Sequence, residues 1–484
     1  MGSEGPTDEY LIIRKEKIRL IDIISILLFR KSLKSCRFVE CSSTEKDGGS
    51  GGRIRADDWV TPLVVVVLKV LETIKTPLKW FGLILEFFLN LFALNGGLLG
   101  LIWKTITGKL VIPKRDAANY RSFIGHIDGR LDLYKSKSLM NFFPLMEPQA
   151  GLDDINVLDL SMMAAKVAYE NPAYIENAVT NHWKMHFVGF YDCWNKFLEE
   201  KTTQAFIFCN KAEDADLIVL AFRGTEPFNA VDWSTDVDLS TLLAGKLGLL
   251  HLGFLKALGL QNEKSFLLGF PKDFTSPNNE PAAYYTLRAE LKGLLAEHKN
   301  AKIMVTGHSL GGALAAMFPA LLSYHNQSDV LNAMYGVLTH GQPRVGDLVF
   351  KTYVEAIMRV KYQRMVYRYD IVPRIPFDLT PVSNFKHCGQ CVYYQGWYQG
   401  QEVDEVPNPN YFDPLSTPLM YLVAWLDLFK ALFIGFTEGK DFKEGIVSIF
   451  YRLLGLAVPG FGFHSPRDYV NAARLAKFTK TIPV

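Results

Sequence analysis

Ser309 lies in the stretch 303–312, IMVTGHSLGG, with Gly307 two residues before it and Gly311 two residues after. A serine hydroxyl is a weak nucleophile until a base takes its proton and donors are aimed at the negative charge that follows. Residues 303–306 read as a buried strand, and LGGALAAMFPALLSYH, from Leu310 onward, reads as a helix. A serine at the apex of that junction is held above the sheet, within reach of a base and a substrate. Side chains two positions away would collide in so sharp a turn, which is why glycine stands there. The helix points its N-terminal N–H groups and dipole at the same place, where charge develops in acyl transfer. Gly307-His308-Ser309-Leu310-Gly311 is thus a G-x-S-x-G elbow between the two elements it needs. The five-residue pattern alone recurs by chance, and the flanking strand and helix give it weight.

The chemistry next requires a histidine base and a carboxylate to orient it. In α/β hydrolases these follow the serine in the order acid, then histidine. The chain has ten histidines, and only His387 and His464 come after the strand RMVYRYD, 364–370, which is read as ending at Asp370. His464 sits in GFGFHSPRDYVNAARL, a loop before a final helix, a setting that suits a base moving between partners. His387, in NFKHCGQCVYY, begins or precedes a strand and reads as structural. His308, beside the nucleophile, reads as a packing and hydrogen-bonding residue under the elbow. Two oxyanion donors suggest themselves. One is the N–H of Leu310; the other comes from Thr225, where LIVLAFRGTE ends, although an ordinary turn residue would look the same there.

From about 150 onward the elements are those of an α/β protein. LSMMAAKVAYE is helical, QAFIFCNKAEDADLIVLAFRGT reads as two strands around an acidic turn, and YYTLRAELKGLLAEH is an amphipathic helix. Strand 301–306, the elbow helix, strand AMYGVLTHG and strand RMVYRYD then alternate, which implies a mostly parallel sheet with right-handed crossovers.

The first third is different. Residues 1–58 mix an apolar helix candidate, LIDIISILLF, a basic run and a flexible EKDGGSGGR linker. Residues 59–112 are apolar almost throughout, and 87–103 carry no charge. Two forms fit: a marginal transmembrane helix, or a helical hairpin in the interface with a bend at Gly96–Gly97. A late segment, 416–436, is also strongly apolar but carries Asp427 and Lys430, which points to a core or interfacial helix rather than a span. With 49% hydrophobic and 13% aromatic residues and a net charge of +2, nothing in the balance suggests nucleic acid, whereas lipid contact would account for the apolar surplus. The six cysteines form no framework, Cys388 and Cys391 read as ordinary thiols, and the acidic start is unlike a secretory signal; a cytosol-facing protein is expected.

VLAFRGT (219–225), DWSTD (232–236), HLGF (251–254), VTGHSLGGALA (305–315), GQPRVGD (341–347), YRYDIVPRIP (367–376) and HSPRDYV (464–470) together resemble the class 3 lipase family, the fungal-type triacylglycerol lipases. The resemblance covers about 150–480. It implies an α/β-hydrolase fold, with Ser309 as nucleophile, Asp370 as acid, His464 as base, and Thr225 and Leu310 at the oxyanion. It also implies a lid at 226–240. Two additions depart from the minimal family domain: the apolar 59–112 segment and an apolar insertion at about 402–460. With them the chain is similar to the plant oil-body triacylglycerol lipases.

The expectation is therefore a membrane- or droplet-associating region at 59–112, a connector at 113–150 and a catalytic domain at 151–484. Its reaction is hydrolysis of triacylglycerol, through an acyl-enzyme, at a lipid-droplet (oil-body) monolayer or the endoplasmic reticulum membrane. No metal or cofactor is expected. A phospholipase A1 or galactolipid acylhydrolase on the same scaffold is the alternative; a non-catalytic membrane scaffold is more remote.

Overall fold

The computed structural model describes residues 10–29, 31, 33–41, 60–134, 156–195, 200–259, 271–274, 281–358, 361–377, 384–408, 411, 413 and 415–478. The linker EKDGGSGGR lies outside them. The described chain begins with β1 (Tyr10–Ile13), α1 (Leu20–Phe29) and β2 (Val39–Cys41), followed by α2 (Val60–Asn95), α3 (Gly97–Ile106) and α4 (Phe123–Ile127). Gly96 and Gly97 take φ of 81° and 75°, the left-handed region that glycine tolerates, and they break the helix between α2 and α3. The uncharged run 87–103 is therefore divided between two helices. Asn95 fixes the bend, its Nδ2 donating to the carbonyls of Leu91 and Val111 at 2.8 Å each.

The α/β region runs α5 (Val157–Val167), α6 (Pro172–Asn177), β3 (His186–Asn195), β4 (Glu200–Cys209), β5 (Leu217–Phe222), α7 (Ala230–Val237), β6 (Thr241–Leu243), β7 (Leu249–His251), α8 (Leu252–Ala257) and α9 (Ala283–Glu297). It continues with β8 (Lys302–His308), α10 (Leu310–Tyr324), α11 (Ser328–Asn332), β9 (Met334–His340), α12 (Leu348–Met358), β10 (Tyr362–Tyr367), β11 (Gln390–Tyr394) and β12 (Gln399–Val403). α13 (Thr417–Thr437), α14 (Ile446–Gly455), α15 (Pro459–Gly462), α16 (Pro466–Leu475) and β13 (Lys477–Phe478) close it.

Among the described residues the main sheet has nine strands in the order β13-β12-β11-β10-β9-β8-β5-β4-β3. Its centre, β5-β8-β9-β10-β11, is parallel throughout. β5 shows why this sheet is covered on both faces. Leu217, Val219 and Ala221 enter a core with α5 and α16, while Ile218, Leu220 and Phe222 enter another with α9, α10 and α12. A strand buried on both sides reads as a continuous apolar run, as LIVLAF does. The parallel sheet with helices on both faces and a strand–serine–helix junction at its centre is the α/β-hydrolase fold.

The sequence sets 1–58 apart as a separate segment, whereas the backbone ties its first strand into the domain. β1 pairs antiparallel with β2 and with β6, and β6 with β7, making a second, four-stranded sheet. Leu11, Ile13 and Phe38 are buried with Val64, Val65 and Leu68 of α2 and with Leu239. The first turns of α2 are thus core, while Trp80, Phe81, Ile84 and Phe88 further along are exposed. α2 (from Pro62) and α13 are the two described helices long and apolar enough to cross a membrane by length and composition.

Candidate active site

β8 and α10 meet at Ser309, whose φ of 59° and ψ of −133° lie outside the regions open to most side chains. The two flanking glycines make this possible. A Cβ on Gly307 would lie 2.2 Å from the Gly311 carbonyl, and one on Gly311 would lie 2.4 Å from the Phe222 carbonyl oxygen. Parallel pairing of β8 with β9 carries the elbow's other support, Ser309 N donating to the His340 carbonyl at 2.9 Å. Ser309 as a residue is 2% exposed in this conformation.

His464 lies between α15 and α16, and Asp370 lies three residues beyond the end of β10. The strand read as ending at Asp370 stops at Tyr367, because Arg368 turns into the left-handed region, φ 43°. His464 Nδ1 is 2.7 Å from Asp370 Oδ2, and both side chains are buried. Three more donors hold Asp370. Val372 N donates to Oδ1 at 2.9 Å, Tyr469 Oη donates to Oδ2 at 2.5 Å, and Arg374 Nη1 donates to the Asp370 carbonyl. Burial pushes the Tyr469 phenol well above its ordinary pKa, so it stays a neutral donor.

His464 Nε2 has no hydrogen-bond partner among the described residues. Its ring stacks on that of His308, centroids 4.4 Å apart and 27° from parallel, which sets it beside the residue that precedes Ser309. His308 Nδ1 is 2.9 Å from Tyr169 Oη. Burial above all, and then the neighbouring histidines, drive the His308 pKa far down, so this ring remains neutral against His464. His387 is elsewhere: it is buried with Nε2 2.6 Å from the Pro373 carbonyl, holding the loop after Asp370.

Leu310 is the first residue of α10, where helix N–H groups have no intrahelical acceptor. Thr225 follows β5, whose Phe222 pairs with Gly307, and it is buried. A Cβ on Gly224 would lie 2.4 Å from the His308 carbonyl oxygen, so this segment runs hard against the elbow. An arrangement of this kind can move a proton from a hydroxyl to Nε2 and hold the resulting imidazolium against a carboxylate. Among the described residues, no cluster of three or more metal-ligating side chains occurs.

Sequence reasoning gave no role to Tyr469 or Gly341. Gly341 has φ 59°, and a Cβ there would lie 2.8 Å from His464 Cε1 and 3.0 Å from Asp370 Oδ2. Both residues stand inside motifs quoted above, HSPRDYV and GQPRVGD, but their contacts are made across the fold. The segment 226–240 contains α7 and is gripped from two sides. Phe228 packs edge-on to Phe81 of α2 and Phe123 of α4, at 5.6 and 4.9 Å, and Trp233 packs edge-on to Phe461 at 5.4 Å.

A family model described as lipase (class 3) matches residues 219–380. Triacylglycerol lipase OBL1 of Nicotiana tabacum is 41% identical, over 91% of this chain and 87% of its own. Triacylglycerol lipase OBL1 of Arabidopsis thaliana is 38% identical, over 98% and 96%. Among solved structures, a Rhizomucor miehei triacylglyceride lipase matches 51% of this chain and 82% of its own, at 21% identity and a TM-score of 0.36.

Proposed function

The chain belongs to the class 3 lipase family, and from that premise we propose that it hydrolyses triacylglycerol with Ser309 as nucleophile, His464 as base and Asp370 as the acid that orients it. The observation that carries this reading is the 2.7 Å contact of His464 Nδ1 with Asp370, which leaves Nε2 unpartnered beside the elbow.

In the first step His464 Nε2 takes the Ser309 proton while Oγ bonds to the ester carbonyl carbon. The Leu310 N–H and Thr225 receive the oxyanion. Collapse breaks the bond to the glycerol oxygen, which leaves with the proton from His464 as diacylglycerol. Water then loses a proton to the same nitrogen and attacks the acyl carbon; the bond to Oγ breaks, His464 returns the proton to Oγ, and the fatty acid leaves. The Asp370 carboxylate, 2.7 Å from His464 Nδ1, stabilises the imidazolium that forms twice per cycle.

An insoluble ester requires the enzyme to reach an interface first. The exposed apolar faces of α2 and α3, with Trp80, Ile84, Leu99 and Trp103, and of α13, with Trp425, Phe429 and Phe433, suit the monolayer over an oil droplet. At roughly 25 cal/mol per Å² of apolar surface removed from water, one such helix face suffices to hold the protein there. The bent α2–α3 pair favours lying in the surface over crossing it. Segment 226–240 acts as a lid held between α2 and Phe461, so lipid contact at either neighbour can draw it aside.

The test is purified protein on trioleoylglycerol emulsion, phosphatidylcholine liposomes and galactolipid dispersions. Fatty acid released chiefly from the emulsion is expected. Preference for either polar lipid would assign the same triad to a phospholipase A1 or galactolipid acylhydrolase instead.

A further inference from the structure

The apolar insertion buries four charged side chains, Asp427, Lys430, Glu444 and Arg452, and two of them, Asp427 and Arg452, land on the two segments that carry the acid and the base. α13 exposes Trp425, Phe429 and Phe433 but buries Asp427. Asp427 Oδ1 is 3.1 Å from Arg368 Nη2, and its Oδ2 accepts from Tyr367 Oη at 3.0 Å. Tyr367 and Arg368 lie three and two residues before Asp370. α14 exposes Phe450, Leu453 and Leu454 but buries Arg452. Arg452 donates with both terminal nitrogens to Asp468, at 3.0 and 2.8 Å, and with Nε and Nη2 to Glu444, at 2.9 and 2.8 Å. Asp468 lies one helical turn after His464, next to Tyr469, which donates to Asp370.

A third link joins the two. Lys430 of α13 places its ammonium 3.5 Å from the centre of the Tyr398 ring. Tyr398 Oη in turn donates to Asp468 at 3.3 Å and accepts from Asn471 Nδ2 at 2.8 Å. Buried ion pairs are a poor way to gain stability, since apolar side chains of similar volume would do as well without the desolvation cost. What they supply is direction: a forked guanidinium accepts few geometries of its carboxylates.

We propose that Asp427 and Arg452 are positioning residues of the catalytic pair: the insertion braces Asp370 through Tyr367 and Arg368, and His464 through Asp468. The same two helices that offer apolar faces to lipid thereby set the acid–base geometry. This rests on the reading of Asp370 and His464 as acid and base.

The test uses the full-length protein and the variants Asp427→Asn, Arg452→Lys and Arg452→Met. Active sites are titrated to completion with a phosphonate ester, and kcat per titrated site and KM are measured on a dispersed short-chain ester. A residue that only stabilises the fold changes the number of titrated sites and the melting temperature, and leaves kcat per site alone. The brace predicts about a tenfold fall in kcat per site for Arg452→Met at nearly constant KM, with Arg452→Lys and Asp427→Asn falling less but by more than twofold. If Arg452→Met does not fold, the other two decide. Values within twofold of the unaltered protein in every folded variant overturn the proposal. Unaltered protein active on the short ester but inert on emulsified triacylglycerol would defeat the substrate assignment and leave the brace standing.

Discussion

Asp370 and His464 meet at 2.7 Å although 94 residues separate them in the chain. The apolar insertion falls wholly within that interval, so the chain leaves the site after Asp370, builds α13, α14 and α15, and returns with His464. The contact survives so long an excursion because the carboxylate is held from both sides of it. Val372 N and Tyr469 Oη hold the carboxylate, and Ser465 starts the helix that carries Tyr469.

Replacing Asp370 with asparagine tests that contact. Asparagine fills the same space but favours the wrong imidazole tautomer, and in serine proteases built on this triad the analogous change costs about 10⁴-fold in kcat. A fall of roughly 10³- to 10⁴-fold on a dispersed short-chain ester is expected, with KM little changed. A loss below about tenfold would remove Asp370 from the pair.

Gly341→Ala should damage the site from outside the proposed triad. The new Cβ would press on His464 Cε1 and Asp370 Oδ2 at a backbone angle that alanine resists. A kcat loss of at least about tenfold is expected, since a displacement well under 1 Å suffices. Circular dichroism should show the fold intact. Full activity would mean that the ring has more room than the contact allows.

The elbow could be read from the sequence because it is local: its strand, glycines and helix are contiguous. Chain order alone narrows the histidines to His387 and His464, and the structure brings the second to Asp370. Tyr469 and Gly341 could not be read in this way, since each acts on a residue that folding brings to it from about 100 or more positions away. The pairing of YLII with residues 241–242 was hidden for the same reason, a four-residue strand meeting a partner more than 200 residues on. α2 reads as apolar almost throughout in sequence. Only its neighbours decide that Val64, Val65 and Leu68 are core while Trp80 and Ile84 face outward.

Glu170 gives a pH signature. Its carboxyl is buried and its pKa is pushed up to about 7, chiefly by desolvation, against the pull of the Ser122 N–H and hydroxyl. The folded pKa exceeds the unfolded one, so the folded protein holds the extra proton between about 4.5 and 7. The stability this contributes is fully present below about 4.5 and is lost as pH rises through 7. Glu170→Gln should therefore melt at a higher temperature relative to the unaltered protein at pH 8 than it does at pH 5. A difference independent of pH would contradict the assignment.

Because the first turns of α2 are core, removing 59–112 would expose apolar surface and confound a test of lipid binding. Replacing Trp80, Ile84, Leu99 and Trp103 with serine leaves the buried residues in place. Each lost contact is worth about 1.5 kcal/mol or more at a lipid surface, roughly tenfold in partitioning. Flotation with oil droplets should show the variant largely in the aqueous fraction, with its rate on dispersed short esters unchanged. Undiminished flotation would assign attachment to α13 and α14.

The central claim is tested most directly by Ser309→Ala on emulsified triacylglycerol, with droplet binding measured in the same sample. Release of fatty acid should fall to the level of the emulsion alone while binding is retained. Hydrolysis near that of the unaltered protein would contradict Ser309 as the nucleophile.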